Sequence, residues 1–178
     1  MNDMPKTLYH GSQFKISDGI IHKRPAHING MKTPITAVFA TPSFTHAKLY
    51  AMMRLISSGW KSPQSVDTLY VEQLNQNIPK KAYVYEVDSD GFLSDGSDYY
   101  CLTDKKTKKV YEIDIMQEIK NGNIKVYVLK NKLASQPSLE EWRKICKHKD
   151  NFELYKPDSQ NIDTAILAQK FSSKVIGK

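Results

Sequence analysis

The chain has 178 residues, of which 40% are apolar and 25% charged, and its 26 Lys+Arg against 19 Asp+Glu give a formal charge of +7. That balance belongs to a globular domain with a hydrophobic core and excludes a disordered or collagenous chain. No apolar run approaches the ~20 residues that span a bilayer, and residues 1–6 show no basic segment leading into an apolar one, so neither a membrane span nor a Sec signal is expected.

In chain order, residues 7–10 read as a short strand that runs into the Gly11-Ser12 turn. Residues 13–34, punctuated by Gly19, Pro25, Gly30 and Pro34, read as irregular. Residues 35–40 form an apolar, β-branched strand, and Thr41 or Ser43 caps a helix over 44–57 with Pro42 at its entry. Residues 67–73 fit a strand or a short helix, and 82–88 alternate as a strand. A loop over 89–97 leads to strands at 99–103 and 110–115, with the Lys105–Lys109 run as an exposed exit between them. The turn Asn121-Gly122-Asn123 precedes a strand over 124–129. Ser138-Leu139-Glu140-Glu141 is a capping box that opens a helix to about residue 147, and a second helix is predicted over 158–173. The prediction is an α+β body over residues 1–130 and a helical C-terminal extension, 131–178, packed on it.

Cys101 and Cys146 read as free thiols, and neither they nor the five histidines fall at zinc-ligand spacing, so no metal is expected. The lysines at 105, 106, 108, 109, 144, 147 and 149 suit an acidic partner, nucleic acid or an acidic protein face, and equally suit a solvated surface. His10 ends an apolar-aromatic strand next to a glycine, where an imidazole can meet a ribose hydroxyl while the Gly11 backbone approaches a ligand closely. A histidine in a hydrogen-bonded turn would read the same way.

Leu8-Tyr9-His10-Gly11-Ser12 resembles the first-strand motif of the ADP-ribosyltransferase superfamily, in the branch with a His-Tyr-Glu triad. Ala37-Val38-Phe39-Ala40-Thr41-Pro42-Ser43, then Ala47 and Tyr50-Ala51, resembles that branch's second strand and helix. Val84-Tyr85-Glu86-Val87 is similar to a core strand of bacterial members, and Asp98-Tyr99-Tyr100-Cys101-Leu102 sits where the third catalytic strand belongs. Poly(ADP-ribose) polymerases, diphtheria-type toxins and RNA 2′-phosphotransferases share this branch.

The resemblance implies a split β-sheet core with flanking helices, NAD+ as co-substrate and no metal. It implies that His10 bonds the adenosine ribose, that Gly11 holds the nicotinamide carboxamide with Ser12 in support, and that Arg24 pairs with the pyrophosphate. Tyr9 and Thr41 would line the same site, with Tyr50 and Phe39 as its aromatic wall. Val38 stands where the polymerases carry a stacking tyrosine. The catalytic set would be His10, Tyr50 and Asp98, with Asp98 in place of the family's glutamate and Glu112 and Glu86 as rival acids. The implied activity is transfer of a single ADP-ribose to a macromolecule, nucleic acid or protein, as in a toxin or effector that a partner protein neutralises. The alternatives are an inactive NAD- or partner-binding module and an enzyme like the RNA 2′-phosphotransferases. The expected location is the cytoplasm, or a host cell reached without a Sec signal, with no membrane partner.

Overall fold

The computed structural model describes residues 4–26, 33–94, 96 and 98–157. In chain order its elements are β1 (Thr7–Ser12), β2 (Ile20–Ile21), β3 (Arg24–Ala26), β4 (Ile35–Ala40), α1 (Phe44–Ile56), β5 (Lys61–Pro63), β6 (Thr68–Val71), β7 (Lys81–Asp88) and β8 (Leu93–Ser94). There follow β9 (Tyr99–Cys101), β10 (Lys105–Lys106), β11 (Lys109–Asp114), α2 (Ile115–Lys120), β12 (Lys125–Leu129), α3 (Leu139–Cys146) and β13 (Phe152–Leu154). The architecture is mixed α+β, rich in strands with few helices.

Strand β7 is apolar on both faces. Ala82 and Val84 enter one core with Leu49, Met52, Leu69 and Val126, whereas Tyr85 and Val87 enter a second with Leu8, Val38, Ala40 and Phe92. A strand loaded on both sides belongs in the middle of a sheet, and β7 lies between β1 and β11, antiparallel to each. A second sheet runs β3-β4-β9-β8, a third runs β13-β12-β6-β5 with β6 and β12 parallel, and β2 pairs with β10.

Helix α1 starts at Ser43, whose side chain accepts the His46 N–H, so Ser43 is the N-cap. Thr41 Oγ1 accepts the Ser43 N–H at 3.3 Å, which bends the chain from β4 into the helix. The buried face of α1 carries Ala47, Leu49, Ala51, Met52 and Ile56 and packs on β1 and β7. Lys48 is buried on the same helix and reaches Glu118 of α2 at 2.5 Å.

Several predicted elements need correction. Residues 13–34 contain the short strands β2 and β3, and the loop at 89–97 contains β8. The lysine run is structured at Lys105–Lys106, which pairs with β2. The strand predicted to end at Ile115 ends at Asp114, whose side chain accepts the Gln117 N–H and caps α2. The ambiguous 67–73 segment is the strand β6.

The C-terminal extension is not only helical. The capping box is present at α3, but the chain then adds β13 to the sheet beside β12. Trp142 and Cys146 of α3 share a cluster with Tyr70 and Phe152, so a division at residue 130 cuts through one sheet and one core. The helix predicted over 158–173 lies outside the described residues. Both cysteines are free and buried, and burial pushes the Cys146 thiol up to about 11. Among the described residues no helix is long and apolar enough to cross a membrane.

Candidate functional site at the parting of two strands

β1 and β4 touch through one bridge. Tyr9 N–H donates to Thr41 O at 2.8 Å and Thr41 N–H donates to Tyr9 O at 2.9 Å. In an antiparallel ladder the next facing pair would be Gly11 and Phe39, because backbone groups two residues on point to the same edge. The ladder stops short of them. The Phe39 carbonyl accepts from His10 Nδ1 at 2.7 Å, and the imidazole fills the seam where the two strands separate. The backbone of Gly11 is thereby turned toward the gap.

The carbonyl can only accept, so His10 Nδ1 must carry the proton. Burial holds the His10 pKa below the ordinary histidine value, against the raising effect of the Phe39 bond and with a further lowering from the Arg24 charge. The ring is therefore neutral near pH 7, and Nε2 keeps a lone pair for a donor such as a hydroxyl. Arg24, exposed at the start of β3, stands opposite Ala37 of the same β4 strand.

The glycine at 11 is required by packing as well. A β-carbon there would stand 2.2 Å from the Ala47 carbonyl oxygen and 2.7 Å from the Ala51 nitrogen. Its absence lets α1 lie directly on β1 at Ala47 and Ala51, the turn that carries Tyr50.

Helix α1 and strand β9 supply the second half. Tyr99 pairs with Ala40, which sets Asp98 level with the end of β4 and against the first two turns of α1. There Tyr50 Oη donates to Asp98 Oδ2 at 3.1 Å. His46, one turn before Tyr50, stacks on it with ring centroids 4.3 Å apart and brings Nδ1 to 3.9 Å from Asp98 Oδ1. The side chains of His46 and Asp98 are each 19% exposed. Phe39 lies on β4 with its ring 6.4 Å from that of Tyr100.

The structure thus joins His10, Gly11, Phe39 and Arg24 along the seam and joins Tyr50 to Asp98 beside it. It does not bring the Tyr9 ring there. That ring packs edge-on against Phe44 at 5.3 Å, and Phe44 packs against Tyr111 at 4.9 Å. The Ser12 hydroxyl serves its own turn, donating to Phe14 O at 2.8 Å, and Thr41 serves the helix cap. Val38 is buried in the core and offers no ring. The rival acids are engaged elsewhere: Glu86 accepts from Tyr111 Oη at 3.0 Å, and the exposed Glu112 pairs with Lys81 and lies 3.9 Å from Lys15.

His46 was missed in the sequence, although its i,i+4 spacing to Tyr50 marks a shared helix face. His22 lies between β2 and β3. Its Nδ1 lies 2.8 Å from Asp104 and its Nε2 2.9 Å from Asp18, a clasp that ties the approach to β3 onto the approach to β10. Among the described residues no group of three or more His, Cys, Asp or Glu is placed to hold a metal ion. Much of the lysine run makes local contacts: Lys108 pairs with Asp88, Lys109 lies over Tyr111 and Lys105 over Phe92. No protein-family model, curated protein or solved structure matches this chain.

Proposed function

We propose that the chain is an NAD-dependent mono-ADP-ribosyltransferase. The observation that carries this reading is the Tyr50–Asp98 pair beside the seam that holds a neutral His10. NAD fits the donors and acceptors available. His10 Nε2 accepts from a ribose hydroxyl, the Gly11 amide and carbonyl match the two ends of a carboxamide, and the Arg24 fork suits pyrophosphate. Phe39 and Tyr50 supply flat apolar surface for the nicotinamide.

Cleavage of the nicotinamide–ribose bond builds positive charge on the ribose, as in glycoside hydrolysis. A carboxylate preorganised beside the ribose stabilises that charge without reorganising during the reaction. Asp98 is in that role, and the Tyr50 hydroxyl fixes the orientation of its carboxylate. The acceptor is a macromolecule, with nucleic acid and protein distinguished by experiment.

Val38 favours a second reading. Val38 is buried in the core, so the site lacks an aromatic ring at that position, as would suit a module that binds NAD or a partner without turnover. The 2′-phosphotransferase alternative is less favoured, because it needs several arginines at one phosphate and the three in the chain lie on separate elements, Arg24 on β3, Arg54 on α1 and Arg143 on α3.

The test is incubation with adenylate-labelled NAD and a cell lysate, followed by separate protease and nuclease digestion. Label released by one digestion names the acceptor class. Nicotinamide release without label identifies water as the acceptor. NAD binding without release selects the second reading, and neither binding nor release removes both.

A further inference from the structure

We infer that His46 is the general base that activates the acceptor, working as a dyad with Asp98; this rests on the transferase reading. Three contacts define its position. Its ring stacks on Tyr50 at 4.3 Å, its Nδ1 faces Asp98 Oδ1 at 3.9 Å, and its backbone N–H is held by the Ser43 cap at 3.1 Å. Among the described residues, the titratable groups in contact with it are Asp98, from the lead-in to β9, and Tyr50, from its own helix.

The chemistry explains why an aspartate serves in a glutamate's place. A carboxylate one methylene shorter, held by Tyr50 to stabilise the ribose, is poorly placed to reach the proton of an incoming nucleophile as well. An imidazole whose Nδ1 side is turned to the carboxylate presents Nε2 on the other side of the ring. A carboxylate that orients an imidazole and stabilises its protonated form is the arrangement that makes histidine an effective base. The 3.9 Å separation closes to a hydrogen bond with a shift of about 1 Å, and such bonds commonly tighten when substrate binds.

The step balances. The bond between ribose C1′ and the nicotinamide nitrogen breaks, and its electron pair stays on that nitrogen, so nicotinamide leaves neutral. The acceptor's lone pair forms the new bond to C1′, and its O–H or N–H proton passes to His46 Nε2 and then to solvent. No oxidant or reductant is needed.

The experiment compares wild type, His46→Gln and His46→Ala for nicotinamide release from NAD in the presence of lysate acceptor, across pH, with NAD affinity measured separately. His46→Gln is expected to lower kcat about 100-fold or more and to leave NAD affinity within about two-fold. Added imidazole is expected to restore part of the His46→Ala rate, which a merely structural role would not allow. Wild-type rate and pH profile in His46→Gln would overturn the proposal while leaving the transferase reading intact. Loss of NAD affinity equal to the loss of rate, with no imidazole rescue, would also overturn it and make His46 a packing residue. Wild-type protein that releases no nicotinamide overturns the transferase reading itself, and this proposal with it.

Discussion

Tyr50 Oη donates a hydrogen bond to Asp98 Oδ2 at 3.1 Å, joining the second turn of α1 to the residue just before β9. The contact depends on β4. That strand's end launches α1 through the Thr41-Pro42-Ser43 turn, and its flank holds Tyr99 opposite Ala40. One strand therefore sets both members of the pair.

If Asp98 is the acid of the reaction, Asp98→Ala should lower nicotinamide release by about 100-fold to 10,000-fold while NAD still binds. Glu112→Ala and Glu86→Gln should keep wild-type rates, since both acids are engaged on other parts of the molecule. Steady-state kinetics on the three variants decide this, and an inactive Glu112→Ala beside an active Asp98→Ala would reassign the acid.

Arg24 should act on binding rather than turnover. Hydrogen bonds to charged groups contribute about 1.5–3 kcal/mol, so Arg24→Ala should raise the KM for NAD about 10-fold to 100-fold with kcat little changed. Arg24→Lys should recover only part of the loss, because an ammonium lacks the planar fork. Equal KM values in all three proteins would remove Arg24 from the site.

Gly11→Ala tests the contact between strand and helix. Its methyl would stand 2.2 Å from the Ala47 carbonyl oxygen, so α1 must shift off β1. Overpacking of this kind costs about 1–3 kcal/mol, which a urea titration would read as a lower midpoint with an unchanged slope. Nicotinamide release should fall as well, since Tyr50 rides on the displaced turn.

Two histidines pull stability in opposite directions with pH. Burial lowers the His10 pKa below 6.5, so as the pH falls through 6.5 the unfolded chain takes up a proton that the folded ring refuses, and stability declines toward acid. Hydrogen bonds that the ring donates to Asp104 and Asp18 raise the His22 pKa above 6.5, so its contribution is complete below that value and is lost as the pH rises through the raised one. Urea midpoints from about pH 5 to pH 9 should therefore flatten at the acid end in His10→Gln and at the alkaline end in His22→Asn. Identical pH profiles for wild type and both variants would contradict these shifts.

Long strands with strong alternation were legible in the sequence, and short ones were not. Residues 35–40 and 82–88 carry their own pattern, as does α1, because each buries a periodic set of side chains. β13 has only three residues and takes its strand character from β12, and α2 is a six-residue helix whose cap, Asp114, also closes a strand. In the site, the first strand reads in the sequence as ending at His10, whereas β1 runs on through Gly11, opposite Val84, to Ser12, because its pairing with β7 continues past the glycine. Tyr9 was assigned to the same cleft in error: neighbouring strand residues point to opposite faces, and its ring goes to Phe44. Ser12 and Thr41 have the right polarity, but their hydroxyls are taken up by the local backbone. His46 gains its meaning from Asp98, a residue brought to it only by the pairing of β9 with β4.

The position of β13 has a consequence for the solution behaviour of the chain. It covers the outer row of β12, from Tyr127 opposite Leu154 to Leu129 opposite Phe152. A chain cut after Lys130 would present β12 as an open template beside the uncovered rings of Tyr70 and Tyr127, and open templates recruit strands from other molecules. The residues that follow the candidate site in sequence replace that template with an edge of only three residues, and very short edge strands offer little to pair with.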